Sequence, residues 1–124
     1  MVFVTGDTHG DPERLSKSAL KCLNEGDTLI VCGDFGFIYF DDDKEQEMLD
    51  ELQEKPYTIL WIDGNHENFT VINDNKRYPV EEWNGGKIHR IRKNILHLMR
   101  GQVFNIEGKK IFTMGGAYSI DRYR

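Results

Sequence analysis

Asp7, His9, Asp34, Asn65 and His66 are the residues of this 124-residue chain whose types and spacing suit chemistry. Asp7 and His9 stand in Gly6-Asp7-Thr8-His9-Gly10, Asp34 in Cys32-Gly33-Asp34, and Asn65 and His66 in Gly64-Asn65-His66-Glu67. Asp7, Asp34 and Asn65 each follow a glycine at the end of an apolar run, at separations of 27 and 31 residues. That is the length of one βαβ unit. One Gly-Asp pair after a strand reads as a turn and a helix cap. Three such ends in series carry more, because an open parallel sheet lines up the carboxyl ends of its strands on the edge where ligands bind. Carboxylates, an imidazole and an amide oxygen form a mixed hard and borderline donor set, suited to Mn, Fe, Zn or Mg.

The elements that must position these residues can be read from the surrounding pattern. Residues 1–5 form an apolar, strand-like run. Asp11-Pro12-Glu13 then supplies an N-cap, a first-turn proline and an early acid for a helix carrying Leu15, Ala19, Cys22 and Leu23, stopped at Asn24-Glu25-Gly26. The unit repeats, with a strand at 29–32 and a helix near 44–54 that turns Met48, Leu49 and Leu52 inward. It repeats again with a strand at 58–62 and a helix carrying Phe69 and Ile72. Alternating apolar strands and helices imply an α/β fold with a parallel sheet and right-handed crossovers. After Pro79 the pattern changes to short strand-like runs at 87–91, 95–99, 102–106 and 110–114, the last two reading as a hairpin or meander. Gly115-Gly116-Ala117 ends a further apolar run.

Through these three motifs the sequence resembles the calcineurin-like metallophosphoesterases, specifically over about residues 1–70. The resemblance implies that Asp7 and His9 bind one metal, Asp34 bridges two, and Asn65 binds the second. It makes His66 the catalytic imidazole, with His66 and Asn65 facing the substrate phosphate. The implied cofactors are two divalent ions (Mn, Fe, Zn or Mg), the second site weak or empty. The implied fold is a metallophosphoesterase-like β-sandwich flanked by helices. This chain would hold its N-terminal βαβαβα portion, with the C-terminal part truncated, as a single incomplete domain over residues 1–124.

Two departures qualify the resemblance. Asp34 is followed by Phe35-Gly36-Phe37-Ile38, where the protein Ser/Thr phosphatases of the family continue Val-Asp-Arg-Gly; that subclass is disfavoured, and its phosphate-binding arginine is missing there. The family's late histidines, often Gly-His-x-His, are also missing. After His66 the chain has only His89 and His97, which read as strand side chains. The inventory is then Asp7, His9 and Asp34 for one site and Asp34 and Asn65 for the other, with water or another polypeptide supplying the rest. Arg122 and Arg124, beyond Gly115-Gly116, either approach the substrate phosphate or are solvated.

The formal charge is −5, but it divides into −12 over residues 1–75 and +7 over residues 76–124. The two parts are expected to attract, folding against each other or drawing an anion toward acidic metal ligands. The sequence shows no membrane span or signal peptide, and Cys22 and Cys32 read as buried thiols, so the expected location is cytoplasmic. Trp61 and Trp83 read as packing residues, and no aromatic-basic alternation marks a nucleic-acid surface, leaving nucleic acid possible only as a substrate. The first turn is not G-x-G-x-x-G, which disfavours a dinucleotide-binding domain. The leading expectation is a metal-dependent phosphoesterase cleaving a phosphate mono- or diester with metal-activated water. The alternative is a non-catalytic metal- or phosphate-binding or assembly module derived from a shortened metallophosphoesterase. A missing layer would leave apolar sheet surface uncovered, a route to a homo-oligomer.

Overall fold

The computed structural model describes residues 2–6, 23–33, 35–64 and 67–114. Ten elements lie within them: β1 (Val2–Thr5), β2 (Thr28–Cys32), α1 (Asp43–Gln53), β3 (Thr58–Ile62), α2 (Phe69–Ile72), β4 (Val80–Trp83), β5 (Gly86–Arg92), β6 (Ile95–Leu98), β7 (Val103–Ile106) and β8 (Lys109–Phe112). The helix expected after residue 11, Cys22, Gly115-Gly116-Ala117, Arg122 and Arg124 fall outside the described residues.

The main sheet has six strands in the order β1-β2-β3-β6-β5-β4. β1, β2, β3 and β6 run parallel, and β5 and β4 continue the sheet antiparallel. β2 and β3 are nearly unbroken apolar runs because both of their faces are covered. Strand alternation divides their side chains into two layers. Leu29, Val31, Ile59, Trp61 and Ile95 face Leu49 and Leu52 of α1 together with Phe35, Phe37 and Ile38, all buried. Ile30, Leu60, Ile88, Leu96 and Leu98 face Phe104 and Ile106 of the β7–β8 hairpin, a second small sheet. This mixed α/β architecture, one sheet against another with helical cover, is the expected fold class. Met48, Leu49 and Leu52 turn inward as the helical spacing implied.

α1 begins at Asp42, whose side chain accepts the Glu45 N–H at 2.9 Å. The buried Glu45 carboxylate in turn accepts the backbone N–H groups of Tyr39, Phe40 and Asp41 at 2.7–3.1 Å. One side chain thus satisfies donors that the turn before the helix would otherwise leave open.

β4 was not among the expected strands. It is the charged edge strand Val80–Trp83, paired to β5 through the turn Asn84-Gly85, whose φ values are +48° and +93°. Asn-Gly between two extended runs is the common two-residue hairpin signal. The following Gly86 is required by packing: a Cβ there would come within 2.6 Å of the Phe104 ring.

Cys32 corrects the expectation of a buried thiol. It is exposed, because it is the last residue of β2 and opens onto the carboxyl edge of the sheet. Val4, Phe112 and Met114 are also exposed, at 66%, 61% and 67%. Among the described residues no helix is long and apolar enough to cross a membrane. Arg77–Asp41 at 2.7 Å, Arg92–Asp50 at 3.0 Å and Arg100–Asp63 at 2.5 Å join the basic part of the chain to the acidic part, as the charge division implied.

Candidate functional site

Asp7, His9, Asp34, Asn65 and His66 lie outside the described residues. Described residues are bonded directly to Asp7, Asp34, Asn65 and His66, and these neighbours meet at one edge. Gly6, Gly33 and Gly64 extend β1, β2 and β3 past their carboxyl ends. A Cβ on Gly6 would lie 2.8 Å from the Cys32 carbonyl oxygen, too close for any other residue type without a backbone shift. Gly33 has φ +85°, the left-handed region that favours glycine, and its Cβ position is 3.6 Å from the Gly64 Cα. The Gly33 N–H donates to the Ile62 carbonyl at 2.9 Å, prolonging the β2–β3 pairing into the loops.

The far sides of the loops after β2 and β3 are tied as well. Glu67 is buried, and its Oε1 accepts the Phe35 N–H at 2.6 Å. Phe35 stacks on Trp61 with ring centroids 4.9 Å apart, so the residue after Asp34 rests on the core beneath the edge. The chain is therefore fixed on both sides of Asp34, by Gly33 and Phe35, and on both sides of Asn65-His66, by Gly64 and Glu67. The Asn68 N–H donates to the Ile38 carbonyl, and Asn68 Nδ2 donates to the Tyr39 carbonyl at 2.9 Å, extending the joint between the two loops.

Beside Gly64, Asp63 is 3% exposed and carries a polar chain across the helix-covered face. Its Oδ1 lies 2.8 Å from His97 Nε2, and its Oδ2 accepts from Arg100 Nε at 2.5 Å. His97 Nδ1 lies 2.9 Å from His89 Nδ1, and the two imidazoles stack nearly parallel. The register makes this possible, since His89 and His97 are opposite one another on β5 and β6, and His97 is opposite Trp61 on β3. An ionised carboxylate only accepts, so His97 Nε2 carries the hydrogen toward Asp63. In neutral His97 the Nδ1 is then an acceptor, and His89 Nδ1 is the donor. Burial pushes the Asp63 carboxyl up, but the hydrogen bonds and charges of His97 and Arg100 outweigh it, holding Asp63 below the usual carboxylate range. Burial lowers His89, repulsion from His97 lowers it further, and Asp63 opposes both; His89 stays below the ordinary histidine value.

A groove of about 410 Å³ opens at this edge, lined by Cys32, Gly33, Ile62, Asp63, Gly64, Phe112 and Met114. The described wall is mostly backbone and apolar side chains, and desolvation there raises the Cys32 thiol above its ordinary value, away from a reactive thiolate. Among the described residues no group of three or more His, Cys, Asp or Glu side chains is arranged to hold a metal.

Sequence reading missed the roles of Asp63, His97, Arg100 and Glu67. Glu67 was visible within Gly64-Asn65-His66-Glu67, yet nothing along the chain links it to the Phe35 amide. His89 and His97 are strand side chains, as their alternation implied, and they bond to each other and to Asp63.

The family model for calcineurin-like phosphoesterases matches residues 1–124. The chain belongs to that family. Comparisons with curated proteins and with solved structures returned no match. Membership gives the chain a phosphoesterase type of function, directed at phosphate esters, in a family that generally uses divalent metals.

Proposed function

We propose that the chain hydrolyses a phosphate mono- or diester at a dinuclear divalent-metal site held by Asp7, His9, Asp34 and Asn65, with His66 as the catalytic imidazole. One observation carries the reading: the Glu67–Phe35 hydrogen bond and the Gly33–Gly64 approach fasten together the chain segments on both sides of Asp34 and of Asn65-His66. Gly6, packed against the Cys32 carbonyl, brings the segment that leads into Asp7 to the same edge.

The donor set fits hard and borderline divalent ions. When bound, a pair of such ions would activate water and neutralise charge on the phosphate. Asp34 suits the bridging position because a carboxylate has two oxygens that can bond separate cations. Asn65 offers an amide oxygen to the second ion and, with His66, a hydrogen bond to the phosphate. His66 donates a proton or a hydrogen bond to the departing oxygen. Glu67 and Asp63 act beneath them, Glu67 tying the loop to Phe35 and Asp63 anchoring its start to β6 and the residues beyond it. His89 and His97 are left out of the ligand set: both ring nitrogens of His97 are committed, to His89 and to Asp63, and His89 Nδ1 is committed to His97. Water or a further polypeptide completes the coordination.

Turnover of a generic aryl phosphate in Mn²⁺ tests the proposal. Wild type is expected to release phosphate, and Asp34→Asn to lower the rate by about a hundredfold or more while leaving the fold intact. Mn²⁺ binding without turnover in wild type would instead support a non-catalytic metal-binding module.

A further inference from the structure

Arg100 is placed differently from the other described arginines. It follows β6, two residues past Leu98, which is opposite Ile62 in the parallel β3–β6 pairing. It therefore emerges on the same carboxyl edge as Gly33 and Gly64. Its Nε is held by Asp63 at 2.5 Å, and its guanidinium carbon lies 5.4 Å from the centroid of the Phe69 ring. Phe69 opens α2, directly after the loop that carries Asn65 and His66. The anchor is buried and the head is not: Asp63 is 3% exposed and the Arg100 side chain 49%.

The use made of each guanidinium separates them further. Arg92, at the opposite edge, commits Nε to Asp50, Nη1 to the Ile91 carbonyl and Nη2 to Gln46. Arg90 commits Nε to Glu81 and Nη1 to the Lys93 carbonyl, and Arg77 commits Nη1 to Asp41. Arg100 alone among these keeps both Nη1 and Nη2 without a bond to any described residue, while its Nε and its ring contact fix the orientation. A guanidinium fixed at one side, with its terminal fork open to solvent, is prepared for the paired oxygens of an anion.

We propose that Arg100 is a substrate-binding residue, its Nη1 and Nη2 receiving phosphate oxygens while Asp63 and Phe69 hold the guanidinium in place. The choice of phosphate rests on the phosphoesterase reading above. The part played by Asp63 is positional: it acts on the substrate only through Arg100.

The test is equilibrium dialysis of labelled inorganic phosphate against the full chain, with Mn²⁺ and with chelator, in wild type, Arg100→Gln, Arg100→Lys and Arg90→Gln. Mn²⁺ affinity and the KM and kcat for an aryl phosphate are measured beside it. Arg100→Lys keeps a cation on Asp63 and so guards against misfolding, but it has no fork. Arg100→Gln is expected to weaken phosphate binding by about ten- to a hundredfold, Arg100→Lys by less, and Arg90→Gln not at all. Mn²⁺ affinity is expected to stay unchanged in all three, and KM to rise with phosphate Kd. Phosphate binding at wild-type strength in both Arg100 variants, a parallel loss of Mn²⁺ affinity, or no phosphate binding by wild type would each overturn the proposal. Arg100-dependent phosphate binding without wild-type turnover would uphold it and remove the hydrolytic reading. Turnover with KM untouched in both variants would do the reverse.

Discussion

The two faces of the main sheet are built on opposite terms. The face under the β7–β8 hairpin is built on an apolar cluster from Ile30 and Leu60 to Phe104 and Ile106, with the buried Thr113 hydroxyl after β8 donating to the Met99 carbonyl. The face under α1 holds an equally buried apolar layer, but the row through Trp61 continues into His97, His89 and Asp63. Burying polar groups costs stability unless each finds a partner. Here the partners form one chain, and it ends beside Gly64, at the loop carrying Asn65 and His66. The hairpin face is organised for cohesion, whereas the helix face gives up some apolar packing to anchor that loop and Arg100.

The comparison can be broken in order of size. Phe104→Ala removes the largest buried side chain of the hairpin and leaves a cavity above Gly86; it is expected to cost about 3–5 kcal/mol in urea unfolding while phosphate affinity is retained by the folded fraction. Asp63→Asn keeps the shape but turns one of two acceptor oxygens, each used by one donor, into an NH2 donor. It is expected to cost about 1–3 kcal/mol and, unlike Phe104→Ala, to weaken phosphate binding as well. Equal loss of phosphate binding in the two folded variants would erase the distinction between the faces.

Acid sharpens it. A histidine whose folded value lies below its unfolded value of about 6.5 takes up protons more readily when unfolded. Its contribution is complete above that pH and is lost as the pH falls through the folded value. Asp63, depressed in the folded state, keeps its contribution above about pH 4 and loses it as the pH falls further. Unfolding free energy is therefore expected to drop in two stages on acidification. His89→Phe, which also removes the contact with His97, is expected to abolish the upper stage and leave the lower; an unchanged upper stage would assign it to another group. The smallest effect belongs to the exposed pair Arg90–Glu81, where Arg90→Gln is expected to change stability by no more than about 0.5 kcal/mol.

Much of the architecture was legible along the chain because it is written in local periodicity. The strand at 58–62, the inward side of α1 and the β7–β8 hairpin follow from apolar alternation, helical spacing and Glu107-Gly108, whose φ values are +49° and +79°. β4 was passed over because Val80–Trp83 is mostly charged and exposed, although Asn84-Gly85 marks its turn. Gly6, Gly33 and Gly64 could be picked out because strand-end glycines recur at the βαβ interval. The fastenings of the site could not be. Glu67 reaches an amide 32 residues away, and Asp63 meets His97 34 residues away, through a parallel pairing that local pattern does not encode. Cys32 was misread because an apolar run does not reveal which of its residues reaches past the cover of the core.

The central claim is that the loops after β1, β2 and β3 hold one metal centre. Anomalous scattering from a Mn²⁺-loaded crystal tests it most directly. The expected result is density for bound metal between Asp7, His9, Asp34 and Asn65, above the edge where Gly6, Gly33 and Gly64 meet. Metal found only elsewhere on the molecule, or coordinated by His89 and His97, would contradict the account.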